Sequence, residues 1–263
     1  MATFVVAHGA WSAGWGWKKM HPLMSARGHR LITPTYSGLG ERGHLACPDV
    51  DLDTHIADIL GVLEFEDLTD VNLIGHSYGG MVATGVADRA RPRIARLIYI
   101  DAFAPDDGDS VYDLLPPETR AQRQAAGADG RIAPGTMPPD TPAEDRAWCE
   151  PRRLPQPAKT FEQKLKLQNG ALPLPRHYIY CTRRPPDDRF RRFYERAKRE
   201  GWAPMRLMQA TIRTSPVRRC WPICSTELQS SVLTFCGRAA CAMSKRSGAD
   251  SVINIHKALW GCP

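Results

Sequence analysis

The stretch Val71-Asn72-Leu73-Ile74-Gly75-His76-Ser77-Tyr78-Gly79-Gly80-Met81 decides how this chain is read. Its centre, Gly75 to Gly79, fits G-x-S-x-G, the pattern of a serine raised on a sharp turn between a strand and a helix. Such a turn strains the serine's backbone, and neighbouring side chains would keep it from closing, so glycines flank it. Val71 to Ile74 is a short apolar run suited to a buried strand. Met81 to Arg91 carries Val82, Val86 and Ala90 at helical spacing and stops before Pro92. The bare pattern recurs by chance in many proteins. Strand before and helix after make Ser77 a candidate nucleophile rather than an incidental turn serine.

The same alternation runs outward in both directions. Thr3 to Ala7 reads as an apolar strand ending at His8-Gly9-Ala10, and Trp17 to Arg27 as an amphipathic helix closed by Gly28. Arg30 to Thr33 is a second strand, followed by a loop with three glycines from Ser37 to His44. Thr54 to Leu63 places Ile56, Ile59, Leu60 and Leu63 on one helical face, with Asp53 as its expected cap. Arg96 to Ile100 is a strand ending at Asp101. His177 to Cys181 and Pro204 to Met208 are further strands, with a charged helix from Phe190 to Glu200 between them. Alternation of this kind predicts the α/β class, with a mostly parallel central sheet covered by helices on both faces. Between Ala104 and Arg176 the texture changes. Twelve of the 22 prolines fall there, so the stretch cannot supply central strands. Leu114, Leu115, Trp148 and Phe161 give it apolar anchors that a disordered linker would lack. The expected organisation is a core of residues 1–103 and 177–207, an inserted helical cap at 104–176, and an atypical tail at 208–263.

The 263 residues suit one α/β domain with an insertion, and 43% hydrophobic content supports a sizeable core. The start, Met1 to Ala7, has no basic segment or long apolar run. No window approaches the ~18 apolar residues of a membrane span. The expectation is a cytoplasmic protein without membrane contact. The net charge of +7 raises nucleic-acid binding, but +6 of it falls in residues 201–263, and no nucleic-acid motif accompanies it. Five of the eight cysteines also lie in that tail: Cys220, Cys224, Cys236, Cys241 and Cys262. The spacing of Cys220, Cys224, Cys236 and Cys241 does not suit zinc, and no histidine lies between Cys220 and Cys241.

A serine nucleophile needs a base, an acid to orient that base, and donors for the oxyanion. One donor is the backbone N–H after the nucleophile, on Tyr78; the other belongs to a loop at an early strand end, where Ala10 sits. His8-Gly9-Ala10-Trp11 with Gly14-Trp15-Gly16-Trp17, then Gly38-Leu39-Gly40-Glu41-Arg42, then Gly75 to Gly80 resemble the methylesterase and hydroxynitrile-lyase branch of the α/β-hydrolases. The nearest likeness is to its bacterial esterase members, in one register from about residue 2 to about residue 202. The resemblance implies a small apolar pocket under a helical cap, hydrolysis of small carboxylic esters, and no cofactor. It implies Ser77 as nucleophile and Ala10 and Tyr78 as oxyanion donors, with His8 and His76 in structural places. The partner it implies is a small ester, with a homodimer as the assembly. Lyases of the branch use a threonine beside the oxyanion loop, where this chain has Trp11, so the resemblance favours an esterase.

The acid stays open between two carboxylates. The family places it just after the strand matched by Tyr178 to Cys181, where Thr182 to Pro186 hold none; Asp187 and Asp188 come slightly late. Asp101, at the end of the strand after the turn, is the other position from which this fold supplies an acid. The base is harder. The family carries its histidine after the last strand, and here the next one is His256, in different surroundings. Charge shift, cysteine shift and missing histidine share one explanation, a change of reading frame near Met208. Met208 to Pro216 can be encoded as ATG CAA GCA ACC ATT CGC ACG TCA CCG, one choice among the synonymous codons. Read from the third base, that choice gives Ala-Ser-Asn-His-Ser-His-Val-Thr, which resembles the family's histidine loop. A chain without that loop has an alternative function: a hydrolase fold that binds a small ligand with weak or no turnover.

Overall fold

In the computed structural model, strands and helices alternate along the chain. The structure describes residues 1–137, 141–170, 173–181 and 188–207. The elements in order are β1 (Thr3–Ala7), α1 (Met20–Ser25), β2 (Arg30–Ile32), α2 (Leu52–Phe65), β3 (Val71–His76), α3 (Gly79–Arg89) and β4 (Ile94–Ile100). A helical segment follows, with α4 (Pro117–Ala126), β5 (Arg131–Ile132), α5 (Ala143–Cys149), β6 (Gln156–Pro157) and α6 (Lys159–Glu162). The chain then returns through β7 (Arg176–Cys181), α7 (Arg191–Arg199) and β8 (Ala203–Leu207).

Six strands form one parallel sheet in the order β2-β1-β3-β4-β7-β8. Both faces are buried, so the strands are apolar almost throughout. Val5, Leu73, Leu97 and Tyr99 pack on one face, with α2 and α3. Phe4, Val6, Ile74, Ile98 and Ile179 pack on the other, with Met20 and Met24 of α1. Complete burial of such a side chain contributes about 1.5–3 kcal/mol. The strand order reverses direction between β1 and β3, and ligands of open parallel sheets bind at the carboxyl ends beside such a reversal. Ala7 pairs with Gly75, and His76 with Ile100. The loop after β1, the turn after β3 and Asp101 after β4 therefore meet at one point.

Local chemistry moves several boundaries. One helix is expected from Trp17 to Arg27, but the structure has a 3-10 turn at Gly14–Trp17 and then α1. Pro22 lacks an N–H and would clash with the carbonyl of the previous turn, so it is tolerated only in the first turn of a helix. The cap of α2 is Asp51, not Asp53. Asp51 Oδ1 accepts the Thr54 N–H at 2.8 Å, and the Thr54 hydroxyl oxygen accepts the Asp51 N–H at 3.4 Å. Asp53 instead pairs with Arg89 and accepts a bond from Gln163 Nε2 at 2.8 Å. α3 begins at Gly79 and ends at Arg89; Ala90 leaves the helical backbone at φ of −116° and ψ of 35°, and a 3-10 turn at Arg91–Arg93 follows, where Pro92 has no N–H to continue the α-helix. The segment between β4 and β7 lies over the carboxyl ends of β1 and β3. There the Phe161 ring of α6 stacks 5.6 Å from Tyr78 and lies 5.9 Å from Trp11.

Candidate active site

Ser77 sits between β3 and α3 with φ of +53°. That region is uncommon for a residue with a side chain and costs on the order of 1–3 kcal/mol unless its surroundings enforce it. Here they do. The Ser77 N–H donates to the Ile100 carbonyl at 3.4 Å, and the Ser77 carbonyl accepts from Gly80 and Phe103, each at 3.1 Å. Gly79 is required by space. A Cβ on it would lie 2.0 Å from the Ala7 carbonyl oxygen, so any side chain would push α3 off β1.

Ser77 lines a cavity of ≈ 210 Å³ together with Ala10, Tyr78, His76 and Asp101. Val111, Leu115 and Phe161 line it too, with Phe103 and Phe190. Tyr78 directly precedes α3, so its N–H belongs to the helix end whose first donors lack an i−4 carbonyl and whose dipole favours negative charge. The Tyr78 side chain points into the core instead. Its hydroxyl donates to His55 Nδ1 at 3.0 Å, while His55 Nε2 donates to the Ser37 carbonyl at 3.0 Å. The loop after β2 is fixed by the same residues. Ser37 N–H reaches Asp58 at 2.6 Å, and Arg42 bonds Asp58, the Ser37 hydroxyl and the Thr35 carbonyl.

The two candidate acids occupy different places. Asp101 is fully buried, with φ of +45°, and lines the cavity. β7 holds it: the Asp101 N–H donates to the Ile179 carbonyl at 2.8 Å, and Oδ1 accepts the Cys181 N–H at 3.1 Å. The next residue, Ala102, bonds the Tyr178 hydroxyl through both its N–H and its carbonyl. Asp188 is not among the cavity-lining residues. It stands ahead of α7, where its Oδ1 accepts the Phe190 N–H at 3.3 Å. Burial, and then Asp188, push the neighbouring Tyr180 hydroxyl up to about 12.

Among the described histidines, His8 and His55 are bonded through both ring nitrogens. His8 Nδ1 donates to the Gly9 carbonyl at 2.9 Å, and Nε2 accepts the Tyr36 N–H at 3.3 Å. Burial lowers His8 to about 4 and His55 to about 3. His177 is lowered to about 4 by burial and by Arg96, and it lies near the amino end of β7. His76 is the one described histidine on the cavity wall. His256 and the tail from 208 lie outside the described residues.

Three contributors escaped the sequence reading. Trp11, at φ of +59°, lines the cavity beside Ala10. The Arg123 guanidinium lies 4.7 Å from the centre of its ring. Gln156, fully buried, accepts the Trp11 N–H at 3.1 Å. No local pattern marks Arg123 or Gln156; Trp11 belongs to the His8-to-Trp11 motif, but its partner Gln156 stands 145 residues further along the chain and meets it only through the tertiary fold.

A family model described as "Alpha/beta hydrolase family" matches residues 4–212. The chain belongs to this family. A carbendazim-hydrolysing esterase from Nocardioides sp. (strain SG-4G) is 46% identical to this α/β-hydrolase over 184 residues, covering 65% of this chain and 75% of the relative. Methylesterase 2 of Arabidopsis thaliana is 30% identical over 105 residues, 39% of this chain and 40% of the relative. An extracellular α/β-hydrolase from a Paenibacillus species superposes with a TM-score of 0.75 at 26% identity, covering 88% of this chain and 98% of the other. The α/β-hydrolase described here is thus a carboxylesterase-type enzyme of the esterase and methylesterase branch.

Proposed function

We propose that the chain hydrolyses small carboxylic esters with Ser77 as nucleophile, the Ala10 and Tyr78 N–H groups as oxyanion donors, and Asp101 as the acid that orients the base. The observation that carries this reading is the placement of Ser77, on a left-handed turn between β3 and α3, in one cavity with Ala10, Tyr78 and Asp101. The Ser77 oxygen attacks the ester carbonyl, the alcohol leaves with a proton, and water releases the acid from the acyl-enzyme. At ≈ 210 Å³ the cavity is below the roughly 300–1,000 Å³ of pockets for drug-sized ligands, which favours small esters. Residues 104–176 act as the cap, with Val111, Leu115 and Phe161 facing the acyl or alcohol group.

The Ser77 proton needs an acceptor, and His256 is the remaining candidate for base. A second reading follows from the absence of any histidine between Leu207 and His256. In that reading the fold binds a small ester and turns it over weakly. Fluorophosphonate labelling and hydrolysis of p-nitrophenyl esters of increasing acyl length separate the two. Ser77→Ala is expected to abolish both signals with the fold intact, and Phe161→Ala to shift preference toward longer acyl chains. Wild-type turnover in Ser77→Ala would remove Ser77 from the mechanism.

A further inference from the structure

We propose that Gln156 is a positioning residue through which the cap holds the oxyanion loop in its working shape. The inference rests on the reading of Ala10 and Tyr78 as oxyanion donors. Trp11 follows Ala10 directly, and its φ of +59° is one a bulky side chain keeps only where contacts enforce it. Those contacts come from the β5–β6 ribbon. Ile132 and Gln156 stand opposite each other in that ribbon, and each takes one N–H of Trp11. The backbone N–H donates to Gln156 Oε1 at 3.1 Å, and the indole Nε1–H donates to the Ile132 carbonyl at 2.8 Å.

The amide of Gln156 cannot turn over to present its NH2 to Trp11. Its Nε2 donates to the Thr160 hydroxyl oxygen at 2.9 Å, and that hydroxyl spends its own proton on the Pro157 carbonyl at 2.6 Å. A flipped amide would set donor against donor at Trp11 and acceptor against a committed hydroxyl at Thr160. Gln156 and Thr160 are both fully buried, so water cannot replace either partner. The peptide joining Ala10 to Trp11 is thereby fixed from the cap side, one Cα away from the Ala10 N–H. A cap displaced from the core releases Trp11 and loosens the donor before it. The oxyanion hole is complete only while the cap is seated.

The test uses the full chain and a probe that needs no turnover. A small alkylboronic acid bonds to the Ser77 oxygen, whose proton passes to the buffer, and becomes a tetrahedral anion with one oxygen in the oxyanion site. The carboxamide of the same alkyl group binds without that anion. Gln156→Met keeps the shape and removes the acceptor. Gln156→Met is expected to lose boronate affinity by roughly ten- to hundredfold, less than the roughly 10²–10³ in rate for deleting a donor outright. Carboxamide affinity should stay at the wild-type value. Trp11→Phe, which gives up the indole bond to Ile132 and shrinks the ring under Arg123, should lose severalfold for the boronate and less for the carboxamide, and it decides the matter if Gln156→Met does not fold. Unchanged boronate affinity in a folded Gln156→Met, or in Trp11→Phe where Gln156→Met does not fold, overturns the proposal; so does an equal loss for both ligands. Ser77→Ala serves as control. If it binds the boronic acid like wild type, the site reading fails and this inference fails with it; if it loses binding while Gln156→Met does not, only this inference fails.

Discussion

Ser77, Asp101 and Trp11 are three of the five described non-glycine residues with positive φ, and all three line the cavity. The other two, Asp67 and Asp70, lie in the loop before β3, where aspartate tolerates this backbone well. Strain gathered on one wall separates Asp101 from Asp188. The place of Ser77 between β3 and α3 was legible in the sequence, because its flanks carry the strand–turn–helix pattern. The sequence left the acid open, because which carboxylate reaches the cavity depends on how β4 pairs with β7. That register, Ile100 against Ile179, leaves no local trace. In a chain whose base is in place, such as one with the histidine loop restored after Leu207, Asp101→Asn is expected to cut turnover by roughly 10⁴, the cost of replacing a triad carboxylate by its amide. Asp188→Asn should leave it within a few-fold of wild type. The rate of Ser77 labelling by a fluorophosphonate gives the same comparison if turnover is slow. The opposite ranking would return the role to Asp188.

Among the elements, β3 and α3 were readable because hydrophobic period and glycine spacing are local signals. The cap of α2 was misread by two residues, since Asp51 and Asp53 have the same chemistry and only the reciprocal bonds with Thr54 distinguish them. The partnership of α2 with the turn was not readable at all. It passes through His55, which bridges the Ser37 carbonyl and the Tyr78 hydroxyl. His55 and His8 are neutral in the fold, lowered by burial from 6.5 to about 3 and about 4. Unfolding restores their ordinary basicity, so the unfolded chain binds more protons below pH 6.5. Stability is therefore complete above that value and falls as the pH drops toward 4. Each step of one pH unit through that window costs about 1.4 kcal/mol for each histidine. Urea unfolding between pH 7 and pH 5 should show the midpoint falling. His55→Gln should flatten the slope, and an unchanged slope would mean that His55 does not titrate on unfolding.

At the scale of the molecule, core and proline-rich insertion could be told apart by composition, while the bonds that tie them together could not. Charge and cysteine content also set the tail apart, with +6 of the +7 charge in residues 201–263 and five of eight cysteines after residue 219. The family model ends at residue 212, just past β8. Every part of the proposed machinery except the base lies before that point. A chain that keeps nucleophile and oxyanion donors but lacks its base retains residual catalysis, slower by on the order of 10⁴–10⁶ in kcat. Restoring the alternative frame after Leu207 would place a histidine loop behind β8, where the fold brings its carboxyl end beside that of β7 and so near Asp101. The restored chain is expected to hydrolyse p-nitrophenyl acetate faster by several orders of magnitude, with the gain lost again in Ser77→Ala. The genomic DNA around the codons for Leu207 to Pro216 should show the same frame. An unmodified chain as fast as the restored one, and inactivated by His256→Ala, would instead make His256 the working base.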